Sequence, residues 1–431
     1  MPSASGVYFL SSISMSLLFT PFQLGPITLR NRTIRSAAFE NMAPGNVPSQ
    51  ALIDYHVSVA RGGVGMTTVA YCAVDRSGVS FDGQLYVHEE AREGLCKLTE
   101  AVHAEGAKVS IQLGHCGNMT HSYTCGGHTP VGASTGFNLY SPTFVRGLRA
   151  DEIREIVRHF GQAVDFCREC GFDCVEVHAG HGYLISQFLS PYTNHRRDSY
   201  GGSLENRMRF MDEVLDTVME HARDDMAVLV KTNMFDGFRR GLKEEECLQI
   251  ARRIASHGVH GIVLSAGFVS KAPMVILGGA MPLRTMAHYM DTRKFWWLKA
   301  GLALAGRAMI PTVPYKELYF LEPARRFRAA LDIPLVYVGG IQSRGNCETV
   351  LGEGFDLIQM AHVLVHDPAF VNHMREAGEG ATCRSACGRS NYCVARMYTL
   401  DMRCHACVQN LPPSLQKEIE KAEEANREGR S

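Results

Sequence analysis

Short apolar runs recur along the chain, each bounded by glycine or polar turn residues and most followed by a stretch with helical spacing. Eight of these runs read as strands, over 33–38, 64–70, 108–113, 172–178, 227–232, 261–265, 335–339 and 356–360. Most are β-branched and apolar on both faces, as parallel strands covered on both sides must be. The intervening stretches are amphipathic. Residues 151–170 place Ile153, Ile156, Val157, Phe160, Val164 and Phe166 near one face, with charges elsewhere. Ser203 opens a second helix whose apolar side is Met208, Phe210, Met211, Val214 and Leu215, and 243–256 forms a third, stopped by His257-Gly258. Strand–helix alternation of this kind predicts an α/β fold, a (β/α)8 TIM barrel rather than an open sheet.

Two excursions interrupt the alternation and predict long capping loops after strands three and six. The first, 114–147, is rich in Gly, Ser, Thr, Pro and His, and loops of that length are usually functional. The second, 268–315, carries Met274, Met281, Met286, Met290, Trp296, Trp297 and Met309, which read as a small core of their own or as a wall over the barrel mouth. The expected organisation is an upstream extension, mis-assigned start or weak targeting segment over 1–14, a barrel over 15–378, and a Cys-rich segment with a charged tail over 379–431. From Ser414 that tail reads as an exposed helix or frayed end.

Lys+Arg and Asp+Glu are both 44, a balance that gives no reason to expect nucleic acid or a charged membrane surface as partner. No apolar run reaches the ~18–20 residues that span a bilayer. Fourteen cysteines in a chain of 431 residues fit reduced thiols and a cytoplasmic setting better than disulfide staples. A small-molecule substrate is the expected partner, and a homo-oligomer is left open.

The chemistry concentrates where the fourth strand ends. Cys174, Glu176 and His178 share one strand face by period two, pointing into the barrel. His181 and Tyr183 follow in the next turn, at the end of a barrel where active sites are built. Two imidazole N–H groups can converge on one substrate oxygen and polarise a conjugated carbonyl or nitro group. A nearby phenol can supply a proton. Against this stand a pair of core histidines and a chelating His-x-x-His pair. No carboxylate motif accompanies the latter, so no metal is assigned.

The run from His178 to Arg207 reads His-Ala-Gly-His-Gly-Tyr-Leu, then Gln-Phe-Leu-Ser-Pro, Asn-His-Arg-Arg-Asp and Tyr-Gly-Gly-Ser. It resembles the signature of the Old Yellow Enzyme family, the flavin-dependent ene-reductases, and the likeness extends over about 16–378. The resemblance implies noncovalent FMN and ping-pong reduction of activated C=C bonds (enones, enals, nitroalkenes) by NAD(P)H. His178 and His181 would then hold the substrate oxygen, and Tyr183 would protonate the α-carbon. It also implies that Ser36, Ala37, Ala38 and Ala70 line the flavin, with Phe39 packing near the ring. Gln112 meets the pyrimidine edge, and Lys231 stands in place of the usual Arg at the N1–O2 edge of the reduced ring. A structural ion pair between Lys231 and Glu176 is the other reading of that lysine.

Gly339-Gly340 and Ala361-His362 are expected at the phosphate. The second of these departs from the family's Gly-Arg. His362 carries at most a partial charge at neutral pH, so weaker or pH-sensitive phosphate binding is expected.

Cys383, Cys387, Cys393, Cys404 and Cys407 crowd the C-terminal segment, where some family members bind a [4Fe–4S] cluster through four thiolates. Aligned with their pattern, Ser390 replaces one ligand. A remnant without a cluster is the favoured reading; a cluster using Cys383 and a zinc site are the alternatives. No Gly-x-Gly-x-x-Gly dinucleotide fingerprint is present, so NAD(P)H is expected to dock transiently at the same mouth. Three rivals remain in play: a cluster-containing enzyme like the dienoyl-CoA reductases or amine dehydrogenases, a flavin-binding protein with little turnover, and a metal-dependent barrel lyase using His178 and His181.

Overall fold

The computed structural model describes residues 16–138, 141–290, 292–378 and 381–427; the expectation for 1–14 lies outside them. Eight parallel strands close into a barrel in strict chain order. They are numbered here β1 (Thr33–Arg35), β2 (Met66–Ala73), β3 (Lys108–Gly114), β4 (Cys174–His178), β5 (Ala227–Asn233), β6 (Gly261–Ser265), β7 (Leu335–Val338) and β8 (Leu357–Met360). The sequence placed all eight, with ends shifted by a few residues: β1 stops at Arg35, and β2 runs on to Ala73.

Side chains that point inward and downward form one apolar plug, which includes Ile34, Met66, Cys174, Leu229, Val263, Val336 and Leu357. A two-stranded hairpin, Phe22–Leu24 with Ile27–Leu29, adds Leu24, Ile27 and Leu29 and seals the barrel floor. Side chains pointing outward meet the helices in a second, larger core. Each fully buried large aliphatic contributes about 1.5–3 kcal/mol, so the two shells together fix the register that aims the mouth residues.

The helix ends follow their capping residues. Leu204–Ala222 starts on Ser203, whose hydroxyl accepts from Asn206 N. Ala150–Glu169 starts with Glu152 Oε2 accepting from Arg149 N at 2.8 Å. Glu244–Ser256 opens with Glu244, Glu245 and Glu246, negative charge set against the positive end of the helix dipole.

The first excursion folds into a small sheet of Val131–Gly132, Thr143–Gly147 and Gly136–Asn138. In the second, Met274, Met281, Met286 and Met290 join Leu302 and Ala395 in a satellite core, whereas Trp296 and Met309 stay exposed. Of the two forms expected for the tail, an exposed helix or a frayed end, the C-terminal segment takes the helix but packs one face of it. Pro413–Arg427 is a helix that buries Leu415 and Ile419, and Glu418 accepts from Arg284 N, Thr285 N and Thr285 Oγ1 in the second excursion. Apolar spacing at 415 and 419 outweighs the surrounding charge. Among the described residues no helix is long and apolar enough to cross a membrane.

Candidate active site

β4 delivers its side chains to two levels of the barrel. Glu176 lies just above the apolar plug and is fully buried. Its Oε1 accepts from Gln112 Nε2 at 2.6 Å and pairs with Lys231 Nζ at 2.8 Å; its Oε2 accepts from Gln359 Nε2 at 2.6 Å. Lys231 also reaches Ser36 Oγ at 3.4 Å, and Ser36 Oγ donates to Gln359 Oε1 at 3.0 Å. Ser36, Gln112, Lys231 and Gln359 thus close a polar floor around one carboxylate, with strands β3, β4, β5 and β8 and the end of β1 each contributing a member. A buried charge pair persists only when its remaining lone pairs are satisfied, and here both carboxylate oxygens are.

Above the floor stand His178, His181 and Tyr183. The imidazole centroids are 5.1 Å apart and nearly perpendicular; the Tyr183 ring lies 4.4 Å from His178. Gly180 N donates to His178 Nδ1 at 3.4 Å, which leaves the ring proton on Nε2. His181 sits at φ 58°, an uncommon left-handed conformation for a residue other than glycine. It is held there by Asn233 Oδ1, which accepts from its N–H at 3.1 Å, and by Ser265 Oγ at 2.7 Å from Nε2. A Ser265 hydroxyl that donates to Nε2 puts the ring proton on Nδ1.

Burial, then the neighbouring His181 and Lys231, holds His178 well below the usual histidine range, and burial with Lys231 lowers His181 to about 3. Both rings are therefore neutral hydrogen-bond donors at neutral pH. Burial raises the Tyr183 phenol, so it keeps its proton.

Two strands round from β4, β2 carries a register shift between Val69 and Cys72, a bulge of the kind found where a strand borders an active site. It frees Ala70 and Tyr71 from the ladder. Ala70 N donates to Glu40 Oε1 at 3.3 Å, and Glu40 pairs with fully buried Arg35 at 2.6 Å. Arg35 Nη2 donates to the carbonyl of Ala38 at 2.8 Å, which pins the half-buried turn of Ala37 and Ala38 against the mouth. Tyr71 brings its ring to 5.0 Å from Tyr183. Phe39 stacks on Phe81 at 4.9 Å, and Tyr398 of the C-terminal segment meets Phe81 edge-on at 5.8 Å.

The remaining expected positions lie after β7 and β8. Gly339 has φ 133° and Gly340 has φ 72°. A Cβ on Gly340 would come within 2.6 Å of Leu318 N, and one on Gly339 within 2.7 Å of the Phe320 ring, so the close approach of 318–320 requires glycine here before any ligand does. Ala361 precedes a short helix that starts at His362. His362, expected to carry at most a partial charge, is neutral here. Its Nε2 faces Asn391 Oδ1 at 3.1 Å, and burial together with nearby Arg389 keeps it well below the usual histidine range.

Cys387, Cys393 and Cys404 line one small cavity of about 10 Å³ with Ser390 and His366. Cys383 packs instead against the barrel core. Four thiolates are not brought to one point, and among the described residues no three His, Cys, Asp or Glu form a metal-binding group. None of the fourteen cysteines is in a disulfide.

Sequence reasoning missed Gln359, Tyr71, Ser265 and Asn233. Gln359 had a signal, as the one polar residue inside the apolar run 357–360. The others show no local pattern, because their roles come from the ends of different strands meeting in space.

Residues 17–274 match the model of the NADH:flavin oxidoreductase / NADH oxidase family. The chain belongs to that family. It is 37% identical over 383 residues to the 4,4'-dithiodibutanoate disulfide reductase of Rhodococcus erythropolis, covering 89% of this chain and 93% of that one. It is 35% identical to the NADPH dehydrogenase of Bacillus subtilis, over 61% of this chain and 77% of that one. The NADH oxidase of Thermoanaerobacter brockii matches at 31%, over 83% of this chain; the chain spans about half of that longer protein, 50%. Among solved structures, morphinone reductase in complex with tetrahydroNAD superposes with a TM-score of 0.65 at 24% identity, over 83% of this chain and 90% of that one. The 2-naphthoyl-CoA reductase complex gives 0.75 at 24%, over 94% of this chain and 58% of that one. The Old Yellow Enzyme resemblance and the (β/α)8 barrel therefore hold, and the protein is a flavin-type oxidoreductase.

The residues present fit a flavin mononucleotide: a buried cation on a polar floor, a bulged strand whose backbone is freed from its ladder, and a glycine turn after β7. FMN would supply two-electron hydride chemistry; Ser36, Ala37, Ala38, Ala70, Gln112 and Lys231 would hold its ring, with Gly339, Gly340, Ala361 and His362 at its phosphate end.

Proposed function

We propose that the protein binds FMN and uses NAD(P)H to reduce activated C=C bonds of small molecules. The observation that carries this reading is the convergence of two neutral imidazoles and a protonated phenol on one mouth above a buried cation. His178 and His181 donate N–H groups to the carbonyl or nitro oxygen of the substrate. That draws electron density from the conjugated double bond and stabilises the negative charge that develops on the oxygen. Neutral rings suit this work, since they bind the oxygen without surrendering a proton to it. Tyr183 delivers its phenolic proton to the carbon next to the activating group. Tyr71, 5.0 Å away, and the Phe39, Phe81 and Tyr398 rings exclude water and favour flat, conjugated substrates. Lys231 keeps a fixed positive charge beneath the ring site and is itself held by Glu176.

A test is anaerobic NADPH oxidation with 2-cyclohexenone and with 1-nitrocyclohexene, the saturated products being identified. Consumption of NADPH with neither product formed would sink the reading.

A second reading, reduction of a small organic disulfide, is favoured by the Rhodococcus relative. Among the described residues the mouth offers no exposed thiol pair for it: Cys116, near Tyr183, is buried and its thiol raised by burial. A disulfide would have to be reduced directly at the flavin site. Incubation with 4,4'-dithiodibutanoate and NADPH, with free thiol counted, decides between the two substrates.

A further inference from the structure

The end of β8 lacks the cation that a phosphate site at this place in a barrel would use, and His362 cannot replace it. A cation arrives from elsewhere. Ser385 N donates to Gln342 O at 2.8 Å, and Arg344 N donates to Cys383 O at 2.9 Å, so the C-terminal segment is laid alongside the turn that follows Gly339-Gly340. Four residues further on, Arg389 is 5% exposed and left-handed at φ 62°, a conformation that costs a residue with a Cβ. Its guanidinium lies 4.9 Å from the Tyr315 ring centroid and within hydrogen-bonding reach of Tyr319. Both tyrosines touch Gly340: Tyr315 Oη is 3.5 Å from its carbonyl oxygen, and the Tyr319 ring would contact a Cβ placed there. On its other side Arg389 shares a cavity lining with His362.

The pairing of this arginine is incomplete. Nη2 donates to Leu277 O at 2.6 Å, but Nε is buried with no hydrogen-bond partner. Among the described residues no carboxylate lies within ion-pair distance of it. A buried guanidinium without an anion is costly, and one held in place by strained backbone beside a glycine turn is placed to receive an anion.

We propose that Arg389, from outside the barrel, supplies the positive charge for the phosphate of FMN in place of the missing arginine at position 362. The proposal rests on the FMN reading above. Arginine suits the role because its planar fork can give two parallel hydrogen bonds to phosphate oxygens.

The test is the dissociation constant of the apoprotein for FMN and for riboflavin, which lacks the phosphate, measured by flavin fluorescence. Wild type is expected to prefer FMN. Arg389→Gln should weaken FMN by about 10- to 100-fold, the range for loss of a charge-assisted contact, and leave riboflavin unchanged. Arg389→Lys, which keeps the charge without the fork, should fall between; it carries the decision if Arg389→Gln does not fold. In the Arg389→Gln background, His362→Arg should recover part of the FMN preference. Equal loss for both flavins would overturn the proposal, since a merely structural arginine predicts that. An undiminished FMN preference would also overturn it. Wild type that binds neither flavin would overturn both this proposal and the FMN reading; wild type that binds both equally would overturn this proposal alone.

Discussion

Two of the buried cations of this protein, Lys231 and Arg389, are treated in opposite ways. Lys231 is matched: Glu176 faces it at 2.8 Å, and the glutamines on both sides saturate that carboxylate. Arg389 is unmatched: among the described residues no carboxylate pairs with it, and its Nε is idle. The first arrangement is complete before any ligand arrives, so its energy goes into holding a fixed field under the ring site. The second is finished only by an anion. A barrel mouth therefore holds both a preorganised charge and a receptive one, and burial alone does not distinguish them; the partners do.

The largest effect expected concerns the group that the floor supports. Tyr183→Phe should cut enone turnover by roughly 10²–10⁴-fold, the usual worth of a positioned general acid, while reduction of the bound flavin by NADPH proceeds at the wild-type rate. Stopped-flow separation of the two half-reactions checks this, and equal loss in both would remove Tyr183 from the proton-donor role. Next comes the matched pair. Glu176→Gln strands Lys231 in the interior and should cost about 3–5 kcal/mol in urea unfolding. A cost below ~1 kcal/mol would mean that the pair is not closed as described.

The imidazoles give a pH signature. Their folded values are depressed, His181 to about 3 and His178 well below its usual range. In the unfolded chain they bind protons at about 6.5. The unfolded state therefore takes up more protons as pH falls, and stability is lost from about pH 6.5 downward until the folded values are reached. The double variant His178→Asn/His181→Asn should flatten that slope between pH 7 and 5, as followed by thermal unfolding; a slope identical to wild type would contradict neutral rings. The smallest change is expected at the unmatched site. Arg389→Gln apoprotein should unfold within about 1 kcal/mol of wild type, because the lost hydrogen bond is offset by removal of an unpaired charge. A large loss of stability there would make Arg389 structural, like Lys231.

These contrasts also mark how far the sequence could be read. The barrel was legible because parallel strands buried on both faces leave long apolar runs, and the β4 turn because its residues are contiguous. The ion pair of Lys231 with Glu176 was foreseen as the other reading of that lysine. Gln359 left a signal, a lone polar residue in an apolar run, but Ser265 and Asn233 were not legible: each sits at the end of a different strand, and only closure of the barrel brings them together. The partner of His362, Asn391, was not legible either, because it comes from a segment that the sequence reading set apart as a Cys-rich tail. The packing of Leu415 and Ile419 and the hydrogen bond between Asn426 Nδ2 and the carbonyl of Arg389 at 2.9 Å tie that segment to the mouth. No local pattern in its Glu/Lys-rich sequence announces this.

The most direct measurement is the visible absorption spectrum of the protein reconstituted with FMN, followed anaerobically through one equivalent of NADPH and then one of 2-cyclohexenone. The account predicts flavin bands that bleach with NADPH and return with the enone, with cyclohexanone formed in equal amount. A protein that takes up no FMN, or bleached bands that the enone leaves unchanged, would contradict it.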